Sequence, residues 1–132
     1  ISDLIFNSET VFDFYSCSYM HLEIEKHWAK LKRISKLSEG ELQEAKFRIF
    51  SMINFINEDL IPERFWRSAE KIVKDFDLDD TDFVAMTKYL RGNLWTGDKG
   101  LYKGLTKKNF KNVLNTSEML VIRDSKPTAQ NL

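Results

Sequence analysis

The chain has 132 residues, 42% apolar and 30% charged, so its length and composition predict one ordinary globular domain. Twenty Lys plus Arg balance twenty Asp plus Glu, which excludes a histone-like polycation and an acidic tail protein. The single cysteine, Cys17, excludes an intrachain disulfide framework and favours a cytoplasmic setting, and no apolar run reaches the roughly 18 residues of a membrane span.

The first half of the chain predicts short strands alternating with amphipathic helices. The aromatic, β-branched residues 11–16 predict a strand. Apolar residues recur at steps of three and four through residues 19–36, which predicts one amphipathic helix. Ser38 and Glu41 have the spacing of a capping box and predict the start of a second helix. Residues 54–57 predict another short strand.

The second half continues this alternation. Pro62 suits the first position of a third helix that runs to residue 75. A fourth helix is predicted over residues 81–91, with Gly92 as the left-handed residue that ends it. Short buried strands are predicted at residues 93–96 and 112–114, with a helical turn near Leu101 between them.

This order of elements predicts the fold class. Strands separated by helical stretches indicate crossover connections, hence an α/β protein with a mainly parallel sheet in a three-layer α/β/α sandwich. Ligands bind such sheets at the carboxyl ends of the strands. The single domain is predicted to cover residues 1–123, and the polar, aperiodic residues 124–132 are predicted to form a flexible tail.

Aspartates gather in the loop of residues 75–82, which contains five of them in eight residues. One interpretation is helix chemistry, because an Asp before Thr81 would cap the fourth helix and favour its positive end. A second signal is Asp98, which follows the strand at residues 93–96, where a parallel sheet places its site. Asp80 begins the helix before that strand, so we expect Asp80 and Asp98 to face each other.

Two carboxylates that face each other repel, and the structure must offset this repulsion. At about 5 Å and an effective dielectric constant of ~20, two unit charges repel by roughly 3 kcal/mol. Protonation of one acid, or a divalent cation between the two, removes this cost. Hard carboxylate oxygens suit Mg²⁺ or Mn²⁺, whereas His21 and His27 do not have a zinc-binding spacing.

Two segments carry a recognisable pattern, residues 80–87 (D-T-D-F-V-A-M-T) and residues 94–99 (L-W-T-G-D-K). They resemble the PIN-domain nucleases, most closely their bacterial branch with a Trp-Thr/Ser-Gly-Asp signature. The family pattern is Asp, two residues, an aliphatic or aromatic residue, one residue and Ala, followed later by Thr/Ser-x-Asp. Asp80 and Asp98 are 18 residues apart, as expected for this family, and the resemblance covers nearly the whole chain.

Upstream, residues 19–25 (Y-M-H-L-E-I-E) resemble the family's strand-to-helix segment with its acidic Glu, here Glu23, with Glu25 as a weaker candidate. The resemblance implies a Mg²⁺- or Mn²⁺-dependent nuclease, usually acting on RNA, in which the metal activates water. It implies Glu23, Asp80 and Asp98 as metal ligands, directly or through water, and Asp77 as an additional candidate. Thr96 would form hydrogen bonds within the acidic cluster and hold a carboxylate in place.

The chain departs from the family pattern at its beginning. PIN domains begin with a hydrophobic central strand that ends in a further metal-binding Asp, and the given sequence contains no such strand. Residues 1–8 resemble the end of the family's first helix, so we expect that strand and its Asp to lie upstream. We expect the polypeptide as given to be catalytically weak or to be stabilised by association.

Basic side chains flank the predicted site. The lysines and Arg33 in residues 26–36 fit either a solvated helix face or contacts to substrate phosphate, with Lys30 and Arg33 as the phosphate candidates. Lys99 is close enough in sequence to pair with Asp98 or to contact phosphate. A second patch with the same two interpretations follows at Lys103, Lys107, Lys108 and Lys111.

Three hypotheses for the function remain. The first is a PIN-type metal-dependent endoribonuclease with RNA as substrate, expected to be a homodimer. The toxin of a toxin–antitoxin pair is one form of it, which adds an antitoxin protein as partner. The second is a non-catalytic PIN-like module that binds RNA or a protein. The third is a receiver-type phospho-acceptor domain, which the Thr96-x-Asp98 pattern fits poorly.

Overall fold

The computed structural model describes residues 4–5, 7–8, 11–76 and 78–125, in which strands and helices alternate as the sequence predicted. The strands are β1 (Phe14–Cys17), β2 (Ile53–Ile56), β3 (Leu94–Trp95) and β4 (Val113–Leu114). The helices are α1 (Met20–Lys26), α2 (Trp28–Ser35), α3 (Glu39–Ser51), α4 (Glu63–Val73), α5 (Thr81–Leu90), α6 (Lys99–Lys107) and α7 (Thr116–Ser125). Single 3₁₀ turns lie at Glu58–Leu60 and Leu78–Asp80.

The described strands form two parallel pairs. β1 pairs with β2, in a register that sets Phe14 opposite Ile53 and Cys17 opposite Ile56. β3 pairs with β4, with Leu94 opposite Val113. Helices connect the members of each pair, as parallel pairing requires. The prediction of an α/β fold with parallel strands is therefore confirmed, although the described strands form two pairs and not one sheet.

An open cleft of about 590 Å³ lies between the two strand pairs; we call it the sheet cleft. Residues of β1 and β3 line it together, with Met86 and Leu90 of α5 among the apolar side chains. The rings of Phe14 and Trp95 approach each other here, with centroids 5.8 Å apart. Sequence analysis assigned this central position to a strand outside the given sequence, and no described strand fills it.

Three helix boundaries differ from the predictions. α4 ends at Val73 and not at residue 75. The helix predicted over residues 19–36 is divided at His27, whose φ of −103° and ψ of 16° separate α1 from α2. The prediction of Gly92 as the left-handed residue after α5 is wrong, because the helix ends one residue earlier. Arg91 takes that conformation, with φ of 56°, and the Gly92 N–H donates to the carbonyl of Thr87, as in a Schellman motif.

Two helix starts depend on reciprocal capping. The predicted capping box of α3 is confirmed: the Ser38 hydroxyl accepts from the Glu41 N–H, and the Glu41 carboxylate accepts from the Ser38 N–H. Asn115 and Glu118 exchange the same pair of bonds at the start of α7, which sequence analysis did not predict. This helix includes the first two residues of the predicted tail, and the rest of that tail lies outside the described residues.

The core lies among α4, α5, α6 and the strands. Ala69 and Ala85 are fully buried, and side chains this small allow α4 and α5 to pack closely. Cys17, also fully buried, ends β1 against Met86, with the two sulfur atoms 3.8 Å apart. Burial, together with the charges of Asp82 and Glu58, raises the pKa of this thiol to about 12. None of the described helices combines the length and apolar character needed to span a bilayer.

Leu105→Ala tests this core. Leu105 is fully buried on α6, so truncation should lower the free energy of unfolding by about 2–5 kcal/mol. Leu60, which is 69% exposed, is the matched control, and Leu60→Ala should change stability by less than about 1 kcal/mol. Urea unfolding followed by circular dichroism measures both; equal losses in the two variants would contradict the described core.

Candidate functional site

Asp98 occupies the loop that follows β3. Its backbone N–H donates to the Thr96 hydroxyl at 3.0 Å, and its Oδ1 accepts from the N–H groups of Gly100 and Leu101 at 2.9 and 3.1 Å. The carboxylate therefore caps α6 at the helix's positive end. The Thr96 hydroxyl thus contacts the main chain of Asp98 and not its carboxylate.

Asp80 lies at the start of α5. It occupies the N-cap position, but its side chain makes no capping hydrogen bond, so of the helix interpretation only the favourable position at the positive end of α5 remains. Thr81 instead donates its hydroxyl proton to the carbonyl of Leu78 and closes the preceding 3₁₀ turn. Asp80 is half-buried and lines two neighbouring clefts.

Three clefts meet around these acids. The sheet cleft contains Asp80, Asp98 and Thr96. A second cleft of about 1060 Å³ lies between α1–α2 and the start of α5; we call it the helix cleft, and it contains Asp80 and Glu23. A third cleft of about 290 Å³ beside the β3–α6 loop contains Asp98, Thr96 and Lys99; we call it the loop cleft.

The residues predicted from sequence are distributed over these clefts. Asp80 shares the sheet cleft with Asp98 and the helix cleft with Glu23. Lys30 lines the helix cleft and Lys99 the loop cleft, whereas Arg33 is exposed and lines none of the three. Glu25, the weaker alternative to Glu23, is also exposed and outside them. Asp77 lies outside the described residues.

Sequence analysis missed two further acids at this end of the strands. Glu58 follows β2, and its carboxylate accepts from the N–H and the hydroxyl of Ser18 at 3.0 and 2.8 Å. Burial acts to raise the pKa of Glu58, but hydrogen bonds from Ser18 and the Tyr19 backbone outweigh it and hold the pKa below its usual range. The signal was available, because Glu58 directly follows the predicted strand at residues 54–57.

Asp82 is the other missed acid, in the first turn of α5. Burial raises its pKa, the negative charges of Glu58 and Asp79 add to the effect, and a hydrogen bond from Tyr19 opposes it. Burial and the same acidic surroundings also raise the pKa of the Tyr19 hydroxyl. The carboxyl ends of β1 and β2 thus form a strongly acidic environment beside the helix cleft, which Asp82 and Tyr19 also line.

The donor chemistry around Asp80 suits a hard divalent cation. Carboxylate oxygens are the ligands that Mg²⁺ and Mn²⁺ prefer. Within the described ranges, however, no three His, Cys, Asp or Glu side chains are gathered closely enough to hold a metal ion. Mg²⁺ commonly binds through one or two carboxylates, waters and substrate phosphates. The described residues therefore fit an ion that is held jointly with a phosphate better than a complete protein cage.

Acidic side chains lie at the carboxyl ends of parallel strands, which is the edge at which α/β proteins bind their ligands. A model of the PIN domain matches residues 1–118, so the chain belongs to the PIN-domain family. No curated protein and no solved structure gave a significant match. PIN domains are generally nucleases that use divalent metal ions, and membership supports a nuclease-type function acting on nucleic acid.

Substitutions of Asp98 separate its structural role from its charge. Asp98→Ala removes the acceptor of two backbone N–H groups and should lower the free energy of unfolding by about 1 kcal/mol. Asp98→Asn keeps an acceptor oxygen in the same place and should retain most of that stability. Thermal unfolding measures both variants; equal destabilisation by Asn and Ala would contradict the capping role.

Proposed function

We propose that this protein is a Mg²⁺- or Mn²⁺-dependent endoribonuclease that hydrolyses RNA phosphodiester bonds. The observation that carries the proposal is the position of Asp80 between two neighbouring clefts, one lined also by Glu23 and the other by Asp98. These are the three acids that the PIN resemblance implies as metal ligands. Family membership supports the nuclease class independently.

The acidic residues would hold the metal in this proposal. Asp80, Glu23 and Asp98 would bind it directly or through water, with Asp77 as an additional candidate. A bound divalent ion lowers the pKa of its water and offsets the charge that develops on the phosphate. Thr96 keeps Asp98 in position through the 3.0 Å hydrogen bond to its backbone.

Basic side chains complete the proposed site. Lys30 and Lys99 lie in the clefts that flank Asp80 and are proposed to contact substrate phosphates. Arg33, outside those clefts, is a weaker candidate for the same role. Since the RNA phosphate would supply part of the metal's coordination, metal and RNA should bind more tightly together than separately.

The biological setting belongs to the same proposal. The bacterial Trp-Thr-Gly-Asp signature at residues 95–98 supports a cytoplasmic toxin of a toxin–antitoxin pair, with an antitoxin as protein partner and a homodimer as assembly. A non-catalytic PIN-like module that binds RNA or a protein is the second candidate. The specific observation in its favour is that no group of three metal-ligating side chains is gathered within the described residues.

Cleavage of labelled single-stranded RNA in Mn²⁺, in Mg²⁺ and in EDTA tests the proposal. The wild type should cleave only with metal. Asp80→Asn, Glu23→Gln and Asp98→Asn should each lower the rate at least about 100-fold, because the metal contributes several kcal/mol of transition-state stabilisation. Glu25→Gln is the matched control for Glu23→Gln, since it removes the same charge from the same helix outside the clefts.

The outcomes separate the two candidate functions. Cleavage that is lost with EDTA and in the three site variants, but kept in Glu25→Gln, supports the nuclease. RNA binding without cleavage in either metal, by the given polypeptide and also by a polypeptide extended upstream, would reject catalysis and favour the binding module. Cleavage that persists in EDTA would show that the activity does not come from these carboxylates.

A further inference from the structure

We propose that the protein binds a nucleoside triphosphate in a cleft at the amino-terminal ends of β3 and β4, at the opposite edge of these strands from Asp98. We call it the basic cleft, after the positively charged side chains that line it. Its volume of about 510 Å³ lies within the range of roughly 300–1,000 Å³ that is typical of small-molecule sites. This proposal does not depend on the proposed nuclease function.

The basic cleft lies between the two turns that lead into β3 and β4. Arg91 and Gly92 come between α5 and β3, and residues 109–112 come between α6 and β4. Because the two strands are parallel, both turns lie at the same edge of the pair. The basic cleft shares Thr87 and Gly92 with the sheet cleft, but none of its basic residues lines the sheet cleft. Those side chains therefore lie outside the position that sequence analysis assigned to the central strand.

The charge of this cleft is positive. Lys88, Arg91 and Lys111 line it, and no acidic residue of the described chain does. Arg91 and Lys111 are exposed, whereas Lys88 is half-buried, with its Nζ 5.7 Å from the centre of the Phe110 ring. None of these three basic residues forms an ion pair within the described part of the chain. They create a local field that favours an anion of several charges, although the chain has no net charge.

Two helix carboxyl ends border the basic cleft, and their partial negative charge would by itself disfavour an anion. Main-chain hydrogen bonds occupy carbonyl groups at both ends. The Gly92 N–H donates to the carbonyl of Thr87 in α5 at 3.1 Å. The Phe110 N–H donates to the carbonyl of Leu105 in α6 at 2.9 Å. These bonds weaken the negative potential at the helix ends, so the field of the basic side chains dominates the cleft.

Arg91 is held in a backbone conformation that favours glycine. Its φ of 56° lies in the left-handed region, although the sequence has a glycine at the next position. The turn therefore gains nothing from an arginine at this point. A guanidinium group does suit a phosphate, because it can donate two parallel hydrogen bonds to its oxygens. The charge of Arg91 in the cleft, and not the turn, accounts for this residue.

The uncharged lining of the cleft favours a nucleotide over a bare polyphosphate. Phe65 and Phe110 give the cleft an apolar surface, and Asn109 and Asn112 add two amide side chains. The Asn112 Nδ2 donates to the carbonyl of Gly92 at 3.2 Å, which orients this amide. Asparagine amides donate and accept hydrogen bonds, as the polar edge of a base requires. The basic residues would bind the phosphates, and the neutral residues would contact the nucleoside.

Isothermal titration calorimetry in EDTA tests the proposal. The probes are ATP and GTP, compared with AMP and inorganic triphosphate. EDTA removes divalent ions, so binding through a metal at the acidic residues does not contribute. The wild type should bind ATP or GTP more tightly than either comparison probe. Lys111→Ala should weaken that binding about tenfold, because one charge-assisted contact is lost.

Arg91→Gly and Lys36→Gly form a matched pair of variants. Each removes one positive charge and one left-handed residue after a helix, with φ of 56° and 60° respectively. Both should unfold at the wild-type temperature or above it, because glycine adopts this conformation without strain. Only Arg91→Gly should weaken nucleotide binding, about tenfold, because Lys36 lies outside the cleft. Equal weakening by both variants would indicate a general charge effect and overturn the proposal.

Other outcomes would also overturn it. Absence of ATP and GTP binding at about 1 mM would reject the site. Inorganic triphosphate that binds as tightly as the nucleotides would reject the assignment to a nucleotide. An RNA oligonucleotide with hydroxyl ends that displaces the nucleotide would identify the cleft as a nucleic-acid contact instead. Nucleotide binding in EDTA and RNA cleavage with Mn²⁺ are separate measurements, so either proposal can fail while the other stands.

Discussion

The burial of α5 is the constraint on which the rest of the molecule depends. Four consecutive residues, Val84 to Thr87, are buried, so the helix is enclosed on more than one side and has little freedom to shift. The one polar group among them is satisfied locally, because the Thr87 hydroxyl donates to the carbonyl of Phe83 at 2.7 Å. A helix held this firmly fixes the position of Asp80 at its start. Asp80 lines one cleft with Glu23 and another with Asp98, so its position determines how the three acids of the candidate site are arranged.

Sequence reasoning succeeded where a local rule decides the outcome. The Ser38–Glu41 capping box and the strand-then-loop position of Asp98 follow from short-range chemistry, and the structure has both. Sequence reasoning failed where the structure is determined by packing between segments that are distant in the sequence. The contact of Ser18 with Glu58 spans 40 residues, and the break at His27 has no Gly or Pro to mark it. Glu58 and Asp82 are recognised as part of the acidic environment only once the fold brings β1, β2 and α5 together.

Charge is separated within a molecule whose total charge is zero. The acids collect at the carboxyl ends of the strands and the start of α5, while lysines line the helix cleft and the loop cleft beside them. Some basic residues are neutralised by nearby carboxylates, as Lys32 is by Glu39, and others are not. Composition alone does not reveal this arrangement, since it depends on which residues of α1, α2 and α6 line the clefts.

The reaction of the buried thiol at the end of β1 with a thiol reagent can be used to measure local opening of the fold. Cys17 has no exposed surface, and its pKa of about 12 keeps it protonated at neutral pH. A thiol-specific reagent therefore meets neither an accessible sulfur nor a thiolate until β1 separates from Met86 and α5. With a single cysteine in the sequence, the rate of labelling measures how often this one junction opens, without any engineered probe.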